Sequence, residues 1–140
     1  MVEHDSDCLF CKILAGDLPA QIVDEDERTV ALMDINPATR GHALVIPRSH
    51  ATDLYDLPAE DMAATALAAQ RLALRARDRL GADGVNLLNA CRPEAWQTVF
   101  HFHIHVIPRY SDDPLRLPWI PAAGDADVIA AAAAQLRGEA

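Results

Sequence analysis

Aromatic residues are scarce in this chain, with three Phe, two Trp and two Tyr among 140 positions. Alanine is used heavily instead, at 63–76 and 130–134, a composition that favours helices. Cysteine is also sparse. Cys8, Cys11 and Cys91 are an odd number, which argues against a disulfide framework. No run approaches the roughly 18 apolar residues that a membrane span needs. The N-terminal MVEHDSDCLF is acidic and lacks the basic and apolar regions of a secretory signal, so the chain reads as cytoplasmic. Positive charge is short: 12 Lys and Arg stand against 21 Asp and Glu, a net charge of −9. That balance disfavours a nucleic-acid polymer as partner, since backbone binding needs clustered cations to replace counterions. A small phosphorylated ligand remains open.

About half the residues are apolar, enough for a sizeable core, and no linker or repeat divides residues 1–140, so one domain is expected. A short helix is expected to start near Asp7, carry CLFCKILAG and end at Gly16. QIVDEDERTVALMDI reads as a hairpin with Ile22, Val30 and Leu32 supplying alternating apolar faces. HALVIP reads as a strand that proline terminates. A long helix is expected from about Pro58 to Leu80, with Met62, Leu67, Leu72, Leu74 and Leu80 among alanines and Gly81 after it. Its arginines suit the negative helix end. GVNLLNA and HFHIHVIP are expected as antiparallel neighbours, and a last helix from an Asp125 N-cap to about Arg137. Strands in a run with helices at the sides give an α+β fold with a mostly antiparallel sheet and flanking helices.

The densest chemistry lies in HFHIHVIPR. At period two, His101, His103 and His105 share one face of a strand, Phe102, Ile104 and Val106 form the other, and Pro108 ends it. The outer two backbones stand about 13 Å apart at a rise of about 3.3 Å per residue, too far for one zinc ion to take all three rings at about 2.1 Å. Separate tasks for the rings follow. The pair Cys8 and Cys11 has the spacing of a zinc knuckle, which is weak evidence alone, and His42 and His50 sit near strand ends.

QTVFHFHIHVIPR resembles the signature of the histidine-triad family. CLFCKILAGDLPA, ALMDINPATRGHALVIPRSH and VNLLN resemble that family in the same order, so the likeness covers residues 8–110, with 111–140 a C-terminal extension. The resemblance implies a nucleotide-binding hydrolase or transferase acting at an α-phosphate, a homodimer, and a nucleotide substrate with a purine base; no organic cofactor is implied. It makes His103 the nucleophile that forms a nucleotidyl-histidine, with a backbone carbonyl and His42 behind it, and places His105 against the phosphate or leaving group. Gln97 and Thr98 would supply donors to phosphate oxygens. Asp34 would accept from ribose hydroxyls, Phe10, Ile13 and Ile35 would line the nucleoside pocket, and Asn89 would sit at the phosphate or ribose. Asn86 has no such match. In members beginning Cys-x-x-Cys the resemblance further implies structural zinc on Cys8, Cys11, His50 and His101, with His4 a competitor by residue type. Two departures bear on substrate choice: Trp96 stands where the family commonly has glycine, and the CRPEA loop is one residue longer.

Within that frame the substrate is a nucleoside phosphoramidate or adenylate conjugate, or alternatively a dinucleoside polyphosphate. Two other classes compete. A nucleotide-binding interaction protein would use the same pocket with incidental catalysis. A cupin-type metal enzyme also carries His-x-His on a strand, but needs a glutamate soon after the pair and a later histidine, and neither follows His105.

Overall fold

The structure is a computed structural model that describes residues 5–139; His4 lies outside them. Five strands, β1 (Ile22–Glu25), β2 (Thr29–Met33), β3 (Ala43–Pro47), β4 (Gly84–Leu88) and β5 (Ile104–Arg109), form one sheet in the order β1-β2-β3-β5-β4. Every neighbouring pair is antiparallel. Three α-helices accompany it: α1 (Leu9–Leu14), α2 (Ala59–Leu80) and α3 (Ala126–Leu136). The α+β expectation therefore holds.

The β1–β2 turn is tied by Asp26, whose carboxylate accepts from the backbone N–H groups of Arg28 and Thr29. Val30, Ala31 and Leu32 are all buried, so β2 does not alternate between core and solvent as expected. Both faces of the sheet are covered there. α2 packs on one through Ala68, Ala69 and Leu72 against Ala31, Val45 and Val106, while α1 brings Phe10 and Cys11 to the other against Leu32 and Leu44.

The core face of α2 differs from the leucine stripe expected. Thr65, Ala68, Ala69, Leu72 and Ala76 are buried, whereas Leu67 and Leu74 are exposed. Small side chains let the helix lie close to the sheet. Its arginines act across the surface as well as along the dipole: Arg71 and Arg75 reach Asp24, and Arg71 also reaches Asp26, fastening the hairpin to the helix. Gly81 ends the helix at φ +69°, and α3 starts where expected, with Asp125 accepting from the N–H groups of Asp127 and Val128.

Proline does not end β5. The strand runs through Pro108 to Arg109, paired with β4 from Leu88↔His105 to Gly84↔Arg109. On its other side β3 pairs only as far as Ala43↔Val106, and the Pro108 carbonyl accepts from the Thr39 hydroxyl. The missing proline N–H thus falls beyond the β3 ladder. The strand also begins late, at Ile104. Before it, the Phe102 N–H donates to the Ala51 carbonyl and the Asn89 side chain donates to the His103 carbonyl, so these contacts replace ladder bonds.

Candidate active site and metal centre

Although β5 starts at Ile104, the alternation expected over 101–106 is kept. Phe102, Ile104 and Val106 are buried in the core under α2, and the histidines lie on the α1 side. There the three rings part.

His101 is fully buried, and its Nε2–H donates to the Pro47 carbonyl at 2.8 Å. That leaves Nδ1 as the lone-pair nitrogen. It stands 3.4 Å from Cys8 Sγ, 3.6 Å from Cys11 Sγ and 3.2 Å from His50 Nδ1, with Cys11 Sγ 3.5 Å from His50 Nδ1. Tetrahedral zinc, with bonds of about 2.3 Å to sulfur and about 2.05 Å to nitrogen, sets its ligand atoms about 3.5 Å apart for sulfur and nitrogen and about 3.3 Å apart for two nitrogens. Those four separations match these edge lengths, and all the ligand atoms lie within 4.8 Å of one another. Two thiolates and two neutral imidazoles are also the right donor set. Backbone N–H groups of Asp5 and Cys11 point at Cys11 Sγ and Cys8 Sγ, a second layer of the kind that steadies thiolate ligands. Burial pushes the Cys8 thiol up to about 11, with the Cys11 side chain adding to the rise, so a cation must displace its proton. These residues fit structural zinc, which would tie α1, the loop after β3 and the approach to β5 together.

His103 turns the opposite way. Its Nδ1–H donates to the His101 carbonyl at 2.7 Å, which puts the lone pair on Nε2, and its ring lines a cleft of about 420 Å³. The Phe10 and His103 rings pack nearly perpendicular, at 5.2 Å between centroids. Burial holds the His103 pKa below the ordinary imidazole value, against the raising effects of the His101 carbonyl and Asp34.

His105 belongs to a chain of donors. The Ala38 N–H donates to His42 Nδ1 at 2.9 Å, so neutral His42 carries its proton on Nε2 and donates it to His105 Nδ1 at 2.9 Å. His105 is thereby fixed with its own proton on Nε2. Asp34 Oδ2 lies 3.4 Å from His42 Nε2, a second acceptor beside the pair. His42 is shifted down by burial, which Asp34 opposes; His105 is lowered to about 4 by burial and then by repulsion from His103 and His42. Asp34, His42 and His105 also lie within 4.8 Å of one another. A metal there would need the His42 Nε2 lone pair and would force a proton onto Nδ1, against the Ala38 N–H. The group is therefore arranged as a hydrogen-bonded chain that fixes the His105 tautomer and not as a cation site.

Gly41 sets up this arrangement. It has φ +88°, and a Cβ on it would collide with the Leu80 side chain, so the chain turns tightly against α2 before delivering His42.

The cleft brings together Phe10, Ile13, Asp34, Ile35, Thr98, His103 and His105. His42 stands behind it. Gln97 does not line it: its Nε2 donates to the Thr52 and Val99 carbonyls and its Oε1 accepts from the Arg92 N–H, so the side chain closes the 92–97 loop. Asn89 likewise does not line it; its Nδ2 holds the His103 carbonyl while its buried Oδ1 has no partner. Asn86 accepts from Arg109 on the surface. Leu18, Pro19 and Met33 are cleft residues that sequence reasoning missed; the turn signal GDLP after α1 was the available clue. Trp96 has φ +77° and an exposed ring, and Arg92 φ +79°, so the position where glycine is common does adopt the conformation that glycine prefers.

The model of the HIT domain matches residues 15–112. Three solved structures are close in fold. A protein of Streptococcus mutans is 35% identical with a TM-score of 0.91, covering 99% of this chain and 88% of that one. A zinc-bound histidine triad family protein from Mycobacterium smegmatis is 44% identical, TM-score 0.76, over 94% of this chain and 96% of that one. A histidine triad nucleotide-binding protein from Candida albicans is 27% identical, TM-score 0.80, over 94% and 96%. With three histidines alternating into and behind one cleft, and a domain match across most of its length, the chain belongs to the histidine-triad, or HIT, family.

Proposed function

We propose that the chain cleaves nucleoside phosphoramidates or related adenylate conjugates at the α-phosphate, through a nucleotidyl-histidine on His103. One observation carries this reading: the Nδ1–H of His103 is held by the His101 carbonyl at 2.7 Å, so that the lone pair lies on the other nitrogen of a ring that lines the cleft. The lowered pKa keeps that nitrogen unprotonated at neutral pH without a separate base. The nucleoside lies between Phe10, Ile13 and Ile35, with its ribose hydroxyls donating to Asp34. A purine best suits the wide apolar wall. The nucleotide-binding description of the Candida albicans structure supports the ligand class.

In the first step Nε2 of His103 bonds to the α-phosphorus as the bond to the leaving nitrogen or oxygen breaks. His105 Nε2–H and the Thr98 hydroxyl donate to the phosphoryl oxygens. The phosphate anion draws one proton from solvent onto the Asp34, His42 and His105 group, and the leaving atom carries it away. In the second step water attacks phosphorus, its proton returns to the group, the bond to Nε2 breaks and a nucleoside monophosphate leaves. Gln97 acts by holding the loop that carries Thr98, and Asn89 by holding the His103 backbone. Zinc on Cys8, Cys11, His50 and His101 would be structural and, through the His101 carbonyl, would steady the attacking ring; the zinc-bound Mycobacterium smegmatis relative supports it.

Dinucleoside polyphosphate hydrolysis uses the same steps with a nucleotide as leaving group. We read residues 1–140 as one domain with an extension from 111, acting in the cytoplasm as a homodimer. No helix among the described residues is long and apolar enough to cross a membrane. Single-turnover cleavage of adenosine and guanosine phosphoramidates, measured beside nucleotide binding, tests the reading. Rapid turnover supports it; tight binding with negligible cleavage would favour a nucleotide-binding interaction protein instead.

A further inference from the structure

The cleft does not end at Thr98. A second hollow, of about 350 Å³, adjoins it and shares Leu9, Thr98 and Val99 with it. It lies between the residues that lead into α1 and the run 98–100 that leads toward β5. Phe100 lines this hollow and not the cleft, and Leu9 and Phe100 are each nearly half exposed. The nucleoside wall of Phe10, Ile13, Asp34 and Ile35 belongs to the cleft alone. On the reading above, Thr98 donates to the phosphoryl oxygens. Its place in both spaces puts the α-phosphate at their junction, with the nucleoside on one side and the hollow on the other.

Charge separates the candidate occupants of the hollow. Among the described residues, no Lys or Arg lines either the cleft or the hollow. The hollow instead carries Asp5 and Asp7. Asp5 is engaged, since its Oδ1 accepts from the Asp7 N–H and its Oδ2 stands 4.0 Å from His50 Nε2. The exposed Asp7 carboxylate makes no hydrogen bond or ion pair among the described residues, so it keeps its charge without a partner. The α-phosphate has neutral donors in Thr98 and His105, but a leaving group with further negative charge meets no cation and an unpaired carboxylate. An apolar body is served better, because it covers Leu9, Val99 and Phe100.

We propose that this hollow seats the leaving group and selects phosphoramidates of amines that have an apolar body and no negative charge. Substrates with an anionic leaving group, whether a second nucleotide or an amine that carries a carboxylate, are disfavoured. This rests on the nucleotidyl-histidine reading and chooses between its two substrate forms. As phosphorus bonds to Nε2 of His103, the electron pair of the P–N bond stays on nitrogen, which takes one proton and departs through the hollow as the free amine.

Steady-state and single-turnover kinetics test it on adenosine phosphoramidates of phenylalaninamide, phenylalanine and methylamine, beside a dinucleoside triphosphate. The first two leaving groups share a shape and differ by one negative charge. In the wild type, kcat/KM for the phenylalaninamide substrate exceeds that for the phenylalanine substrate about fivefold and that for the dinucleoside triphosphate about 100-fold. Asp7→Lys brings the first ratio to about one or below. Phe100→Ser raises KM for the phenylalaninamide substrate about tenfold and leaves the methylamine substrate unchanged; melts and elemental analysis check that this variant keeps its fold and the metal content of the wild type. A wild-type ratio near one, or a ratio that Asp7→Lys leaves unaltered, overturns the charge selection. An unchanged KM in Phe100→Ser, or an equal loss on both amines, overturns the hollow as the seat. Cleavage of all four substrates at similar rates removes this proposal alone, whereas nucleotide binding without cleavage of any removes the nucleotidyl-histidine reading and the proposal with it.

Discussion

Two clusters in this fold put histidine nitrogens about 3 Å apart, and they place their ring protons in opposite ways. Around His101 and His50 the ring nitrogens meet at 3.2 Å beside two thiols, and the far nitrogen of His101 donates to the Pro47 carbonyl. Around His42 and His105 they meet at 2.9 Å beside a carboxylate, and the far nitrogen of His42 accepts from the Ala38 N–H. Spacing alone does not separate the two, since both sets of ligand atoms lie within 4.8 Å. The partner of the second nitrogen does: a ring that gives its proton to a carbonyl keeps a lone pair for a cation, whereas one whose lone pair is taken by an amide has only its other N–H to offer, as a hydrogen-bond donor that fixes the next ring. His103 stands between them and borrows from the first, its Nδ1–H resting on the His101 carbonyl.

The comparison breaks most sharply at His103. His103→Ala is expected to lower turnover on the order of 10⁴-fold or more while the melting temperature stays near that of the wild type; near-normal single-turnover rates would remove His103 from the chemistry. Next is the thiol cluster. Chelation, or Cys8→Ala with Cys11→Ala, is expected to lower the melting temperature by about 10 °C or more and to slow turnover through the loosened His101 carbonyl. A folded, fully active metal-free protein would show that the two regions are uncoupled. On the other side, His42→Ala is expected to cost about 10²-fold in rate without changing zinc content, measured by elemental analysis.

Acid sharpens the contrast further. His42, His103 and His105 have folded pKa values below the ordinary imidazole value, that of His105 about 4. The unfolded chain therefore binds more protons over that interval, so stability is full above about 6.5 and is lost as pH falls toward the folded values. Denaturant melts between pH 7 and 4 should show this decline, and His105→Gln should flatten it; an unchanged slope in that variant would contradict the assignment. Trp96→Gly should have the smallest effect, a gain of up to about 1 kcal/mol from relief of the left-handed backbone, read by thermal melts. A fall instead would show that the indole packs usefully.

Much of this was legible in the sequence, though unevenly. The alternation of 101–106 was readable because a strand-like backbone has period two whether or not its ladder is complete, yet the start of β5 was not. Its first bonds come from Ala51 and the Asn89 side chain, far away in the chain. The leucine pattern of α2 does not reveal its buried face, because close packing against the sheet selects alanines and leaves Leu67 and Leu74 outside. The meeting of His50 with His101 had no local signal at all and came only from family resemblance. Gln97 was expected at the phosphate; its residue type fits, but its amide is fully engaged by backbone groups that no spacing rule reveals.

Rapid-quench intact-mass measurement with an adenosine phosphoramidate, followed by peptide mapping, tests the central claim most directly. A transient adduct of one nucleoside monophosphate on the imidazole of His103, absent from His103→Ala, is the expected result. An adduct on His105, or multiple turnovers with no covalent species at any quench time, would contradict it.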